Sequence, residues 1–446
     1  MKTKRNLIQI CLLGAVLLQT LTSGAQPVTK VAAGDFHSLF LKSDGSLWAM
    51  GSNEEGELGD GTYNSTNLPE EIVASNVMAI AAGNAGSLFL KSDGSLWAMG
   101  DNNFGELGNG TYSANTNRPE QIVASDVTMI SAGLHHYLFL KSDGSLWAMG
   151  ANQYGQLGDG TDNYATNLPE EIVASNVTAI AAGQSHSLFL KSDGSLWAMG
   201  ENLNGQLGDG TYNTVYPYGT NLPEEIAARN VTAIAAGDFH SLFLKNDGSL
   251  WVMGGYTDGE ETNRPVQIVS SNVTAIAAGI QCSLFLKSDG SLWAMGDNTY
   301  GELGDGTYNN TNLPEQIVAS GVTAIAAGNY DSLFLKSDGS LWAMGYNQYG
   351  ELGDGKTETS TNLPEQIVAG TPGYNQISAQ LLSGGNVGLS YMGIAGTNYV
   401  LDRTFSLSLA NWLPQATNPA GAGGALVFTN TPDATNNNFW RIRSVP

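Results

Sequence analysis

One pattern of apolar and polar positions dominates this chain. It reads SLFLKSDGSLWAMG from Ser38, Ser87, Ser187, Ser283 and Ser332, and recurs from Tyr137 and Ser241 with one or two changes. SLFL is an apolar run too short for a helix, and it suits a strand covered on both faces. The Asp-Gly pair that follows, as at Asp193-Gly194, signals a hairpin, because glycine accepts the positive φ that the turn needs. SLWAM is then the returning strand. Upstream, VTAIAAG (Val177 to Gly183) is a short strand of β-branched and small residues ending in glycine. Downstream comes a glycine-rich loop, GELGDG, GELGNG or GQLGDG, in six of the seven units. An apolar segment headed by proline (Pro169 to Val173) makes a fourth strand, with the proline at its start, where a missing donor is tolerated.

The tryptophans carried by the pattern are Trp48, Trp97, Trp147, Trp197, Trp251, Trp293 and Trp342, separated by 49, 50, 50, 54, 42 and 49 residues. A period of this size marks a propeller or a solenoid. Four short antiparallel strands per unit is a propeller blade, whereas a β-helix would need shorter rungs and an α-solenoid helical periodicity. The expected fold is therefore all-β: a seven-bladed β-propeller of four-stranded blades. A blade alone exposes an apolar face, so its neighbours must cover it and the ring must close. The first unit has no EQIV-type strand before it, and the seventh ends with Glu365-Gln366-Ile367-Val368. The expectation is that residues 365–368 complete the first blade beside residues 28–33 and staple the ring.

The repeat stops near Gly373. The remainder holds candidate strands at Gly388–Met392, Tyr399–Leu401, Leu426–Phe428 and Phe439–Ile442, with Trp412 and Trp440 available to anchor a small core. This divides the chain into a leader at 1–25, a propeller at 26–370 and a small β-sandwich-like domain at 371–446. Within the leader, Lys2, Lys4 and Arg5 precede an apolar stretch from Leu7 to Leu18, and Ser23-Gly24-Ala25 offers a cleavage site before Gln26. These are the parts of a signal peptide, and the stretch is too short for a spanning helix. A secreted or cell-surface protein without a transmembrane anchor is expected. Cleavage would also remove Cys11, leaving Cys282 alone and excluding an intramolecular disulfide.

The units resemble the regulator-of-chromosome-condensation repeat family. The likeness lies in AAGxxH, then DGSLWAMG, then NxxGELGDG, with Met where the family usually has tryptophan. It runs from about Val28 to Val368 and implies a seven-bladed propeller. The founding member acts on a small GTPase and docks on chromatin. That activity does not carry over, because fold does not carry function. Secreted bacterial propellers of this family, which include inhibitors gripping another protein through the loops of one face, are the more apposite likeness. The C-terminal segment resembles a short β-sandwich module of exported bacterial proteins through GIAGTNYVLDRT (393–404), Asn411-Trp412 and the closing Phe-Trp-Arg-Ile-Arg. That resemblance implies attachment or spacing at the cell surface.

Charge narrows the partners. With 18 basic and 41 acidic residues the chain carries −23, and loss of the leader would take it to −26. Nucleic acid phosphates and anionic membranes would repel such a protein. His37, His136, His186 and His240 share one repeat position, filled elsewhere by Gly86, Cys282 and Asp331. Symmetry puts these histidines in separate blades, too far apart to share an ion whose ligands lie at about 2 Å. Each is expected to bond a neighbouring backbone, and His135 to lie on the surface. GELGDG lacks the Lys-Ser/Thr continuation of a phosphate loop and the full oxygen-ligand spacing of a calcium loop. No carboxylate pair of the kind a glycosidase needs stands out. No catalytic residue, cofactor or metal is expected.

Variation is concentrated in loops, where recognition is usually placed. The variable positions carry Phe36, Phe104, Tyr154, Tyr212, Tyr216, Tyr218, Phe239, Tyr300, Tyr330 and Tyr349, and the tips of Leu58, Leu107, Leu157, Leu207, Leu303 and Leu352 are expected to tuck inward. Tyrosine among Asn and Ser is typical of adaptable binding surfaces. The expected function is a non-catalytic scaffold gripping an extracellular protein. The alternative is a lectin-like propeller whose tyrosines stack on sugars.

Overall fold

The structure is a computed structural model. It describes residues 26–445 apart from 113–114, 228, 258–259, 358, 372–376, 382–386, 393–397, 405–412, 420–424 and 431–438. The leader at 1–25, with Cys11, lies outside the described residues, as do the Asn411-Trp412 pair and the GIAGT stretch at 393–397.

The first blade is β1 (Val28–Ala33), β2 (His37–Lys42), β3 (Leu47–Gly51) and β4 (Thr66–Val73), paired antiparallel in that order. Six further sheets repeat it, giving seven four-stranded blades that end at Val368. The strand equivalent to β1 is innermost in every blade and lines the axial channel. The hairpin between β2 and β3 turns at Gly45, whose φ of 79° requires glycine.

Period-two alternation assigns each face of a blade to one neighbour. From β2 and β3, Leu39, Leu41, Leu47 and Ala49 point forward and pack with Leu58 against Val77, Phe89 and Met99 of the second blade. Phe40 and Met50 point backward, against Leu333, Leu335, Leu341, Ala343 and Leu352 of the seventh. SLFL is thus covered on both faces, and all six loop leucines are fully buried. On the backward face Phe40 stacks on its cross-strand partner Trp48 at 6.0 Å, and the Lys42 ammonium sits 3.4 Å above the indole. The arrangement recurs in all seven blades. In the fifth blade the loop is replaced by a long hairpin of Leu250–Thr257 with Glu260–Val269. Its missing leucine is offset in part by Val252, which stands where the other blades have alanine.

Closure differs from the expected staple. Thr361–Val368 pairs with Leu341–Gly345 within the seventh blade and contributes nothing to the first sheet. The phase explains this, since each unit runs from VTAIAAG to the EEIV-type strand and seven complete units leave no strand over. The ring closes instead through a seventh copy of the ordinary interface. Val28 N donates to Gly339 O at 3.0 Å, as Val77 N does to Gly45 O. Gly355 N donates to Asn67 O at 2.9 Å, as Gly61 N does to Asn117 O.

The repeated histidines also bridge blades, but to a side chain rather than to backbone. His37 Nε2 lies 2.8 Å from Ser87 Oγ of the next blade, and Ser87 Oγ donates to Glu57 O. The serine proton is thereby used, so Nε2 carries the hydrogen and donates. His136, His186 and His240 pair likewise with Ser187, Ser241 and Ser283. At the second junction both partners change together. Gly86 replaces the histidine and Tyr137 of the next blade replaces the serine, its ring filling the vacated space so closely that a Cβ on Gly86 would collide with Tyr137 Oη.

The C-terminal segment forms two three-stranded antiparallel sheets. Ile377–Leu381, Val387–Met392 and Ala425–Asn430 make one, and Leu413–Pro419, Asn398–Thr404 and Phe439–Val445 the other. Leu389, Tyr399, Leu401, Leu426 and Phe428 form their common core. No helix among the described residues is long and apolar enough to cross a membrane.

The tyrosine-for-histidine exchange is testable by reversal. Tyr137→Ser should cost about 3 kcal/mol by leaving a cavity beside Gly86, and Gly86→His alone should destabilise by overpacking. The double variant recreates the His–Ser pair found at four other junctions and should recover most of the loss in a denaturant titration. Additive losses would contradict this account.

Candidate functional site

Two sets of connections emerge on one face of the ring: the short turn between β1 and β2 and the long loop between β3 and β4, with their equivalents. The long loop is built around one asparagine. Asn53 Oδ1 accepts from Leu58 N at 3.0 Å while its Nδ2 donates to Asp60 Oδ1 at 3.0 Å, so Leu58 is held inward and the loop stands rigidly. Asn102, Asn152, Asn202, Asn298 and Asn347 hold the same leucine amide in the other loops. A frame locked in this way presents its variable side chains in defined positions.

Those side chains gather into three groups. Phe36, Tyr300, Tyr330 and Tyr349 converge on Tyr346, drawing on the first, sixth and seventh blades. Ring centroids lie 5.2 Å apart for Phe36 and Tyr349, 5.0 Å for Tyr300 and Tyr330, and 4.8 Å for Tyr300 and Tyr346. Tyr154 and Tyr218 lie 6.4 Å apart, with Tyr216 edge-on to Tyr218 at 5.9 Å. Phe104 stacks on His135 at 4.5 Å and meets Tyr164 at 5.3 Å. Half-buried Phe239 and exposed Tyr212 stand outside these groups.

Tyr346 and Tyr164 escaped the sequence reading. The signal for Tyr346 was present: directly after WAMG the other units have Ser52, Asp101, Ala151, Glu201, Gly255 and Asp297, so the aromatic there is singular. His135 is also more than a surface residue. It is half-buried and sits with Asp101 and Glu106, their ligand-type atoms all within 4.8 Å of one another. The symmetry therefore does break with chemical content, at the junction of the second and third blades.

Beneath the aromatic rings lies a layer of carboxyl groups held out of water. At the channel mouth, Asp35 accepts from Asn84 Nδ2 at 2.6 Å and Asp238 from Gln184 Nε2 at 3.1 Å. Desolvation lifts Asp238 to about 7, helped by Glu201, and lifts Asp35 well above its ordinary value, helped by Asp238. Desolvation likewise raises Glu201, Glu302 and Glu351 to about 7, and Asp101 to about 6 with help from Glu106. Asp331, in the histidine position of the seventh blade, is raised well above the usual range by burial and by Glu351. The four bridging histidines go the other way. Burial lowers them to about 3 to 4, so they are neutral.

A closed ring of seven four-stranded antiparallel blades defines a β-propeller. The RCC1-like domain family matches residues 12–261, and the regulator of chromosome condensation (RCC1) repeat matches residues 289–335 and 338–380. The chain belongs to the RCC1 repeat family. Among solved structures it is similar to yeast RCC1 in its complex with Kap60, with a TM-score of 0.64 and 23% identity over 78% of this chain and 85% of that one. It is similar also to human WBSCR16, with a TM-score of 0.60 and 23% identity over 68% of this chain and 85% of that one. These likenesses are of fold. A stretch of 40 residues is 50% identical to the X-linked retinitis pigmentosa GTPase regulator homolog of Caenorhabditis elegans, amounting to 9% of this chain and only 3% of that protein.

The pKa shifts predict a stability maximum. A carboxyl raised in the folded state adds stability as pH falls from above its folded value toward its unfolded value near 4. A histidine depressed in the folded state removes stability as pH falls from about 6.5 to its folded value. From about pH 8 to about 6.5 only the carboxyls act, so the melting temperature should rise on acidification. The two sets then oppose each other, and below about pH 4.5 the histidines alone lower it. The raised carboxyls outnumber the depressed histidines, so stability should keep rising until the unfolded carboxyls themselves take up protons, and calorimetry should show a maximum at about pH 4.5; a melting temperature that falls steadily from pH 8 to 6 would contradict the assignment.

Proposed function

We propose that this chain is an exported, non-catalytic propeller that grips a protein partner through its loop face. The observation that carries the reading is the five-ring patch of Phe36, Tyr300, Tyr330, Tyr346 and Tyr349. Five half-buried aromatic rings from three blades, mounted on rigid loops, supply large contact area at little further cost in side-chain entropy, as protein-recognition hot spots do. The surrounding negative charge favours a partner with a basic rim, because complementary charge sets encounter and register. The leader at 1–25 supports export, and the C-terminal unit at 371–446 would serve attachment or spacing at the cell surface. The Tyr154–Tyr216–Tyr218 group, with Tyr216 61% exposed, supports the glycan-binding alternative.

The test uses purified protein as bait on envelope and medium fractions of the producing cell, with mass spectrometry of what is retained. A partner retained by the wild type should bind the Tyr300→Ser/Tyr346→Ser variant at least about tenfold more weakly, the loss of a single hot spot. Equal retention by that variant would remove the patch from the interface. Signal on a glycan array that disappears with Tyr216→Ala/Tyr218→Ala would establish the lectin reading instead.

A further inference from the structure

Asp101 and Glu106 come from the second blade and His135 from the third, and no other junction combines these three types. The position of His135 holds Phe36, Ala85, Ser185, Phe239, Gln281 and Tyr330 in the other units. The position of Glu106 holds Glu57, Gln156, Gln206, Glu302 and Glu351 in the other loops. The sixth blade repeats the two acids as Asp297 and Glu302, but the residue facing them from the seventh blade is Tyr330. Histidine is therefore what sets the Asp101 junction apart.

Each side chain is already oriented. Glu106 Oε2 accepts from Phe104 N at 2.8 Å, and Asp101 Oδ1 accepts from Asn102 N at 2.7 Å and Asn103 N at 3.1 Å. Phe104 stacks on the imidazole at 4.5 Å. These are the supporting contacts that hold metal ligands in place. The Glu106 side chain is 2% exposed, and its Oε1 faces His135 Nδ1 at 3.6 Å, beyond hydrogen-bond reach. Among the described residues no lysine or arginine ion pair neutralises either acid.

We infer that Asp101, Glu106 and His135 form a binding site for one divalent transition-metal ion of the zinc type. An ion about 2.1 Å from both Nδ1 and Oε1 would see the 3.6 Å separation under an angle of roughly 120°, close to tetrahedral. One imidazole nitrogen and two carboxylate oxygens select zinc-like ions over calcium, which takes six to eight oxygens, and over magnesium, which retains its waters. Three protein ligands leave a coordination position open. His135 is 27% exposed, so that position is reached from the loop face, beside Tyr164.

Zinc titrated calorimetrically into the metal-stripped full chain, with magnesium in excess, should bind saturably at one equivalent and raise the melting temperature. His135→Phe and Glu106→Gln should each weaken binding at least about tenfold. Both install residues that other units carry at the same position, Phe36 and Phe239 for the first and Gln156 and Gln206 for the second, so the fold should be kept. Co-titration with calcium should not displace the zinc. The site is overturned if no saturable zinc binding occurs, or if the two variants bind zinc as the wild type does.

Discussion

Everything in this molecule depends on the contact between one blade and the next. A four-stranded sheet of this size has apolar residues on both faces, and neither face can be left in water. The forward row of leucines and alanine and the backward row of phenylalanine and methionine are complementary surfaces, so each blade is both a template and a cover. Burying a leucine or phenylalanine stabilises by about 1.5–3 kcal/mol, and each junction buries four or five such side chains. A ring of seven leaves no terminal face. That accounts for a repeat so uniform, and for closure with neither a disulfide nor a shared strand.

The same interface explains where chemistry is allowed to differ. Positions inside the junction can change in concert, as Gly86 with Tyr137, or with partial compensation, as Val252 beneath the shortened fifth loop, while Cys282 and Asp331 replace the histidine opposite unchanged serines, Ser332 and Ser38. Loop positions change freely, because in six of the seven blades the asparagine at the base of the loop holds its shape regardless of what is displayed. The aromatic patch and the Asp101–Glu106–His135 group both lie where residues from adjacent blades meet on this face. A single blade could assemble neither.

The polar layer under the loops has a physical cost that the packing sustains. Several carboxyl groups sit with little water around them and are held near neutrality in charge at the pH where an ordinary carboxylate is ionised. The bridging histidines are kept neutral by the same exclusion of water and serve as hydrogen-bond donors rather than as ligands. Burial, more than any specific ion pair, sets the electrostatics of this face.

The sequence by itself determined the number of blades, the order of strands within each and the inward leucines, because these follow from alternation and period, which are local. It also marked Phe36, Tyr300, Tyr330 and Tyr349 as variable aromatics. Only the tertiary structure decided that they meet on Tyr346, that Phe239 and Tyr212 stay apart, and that His135 faces two acids 29 and 34 positions earlier in the chain. It also decided that His37 reaches Ser87. The reason is common to all of these. Each is a relation across a blade junction, between residues whose separation along the chain says nothing until the sheets are wedged side by side.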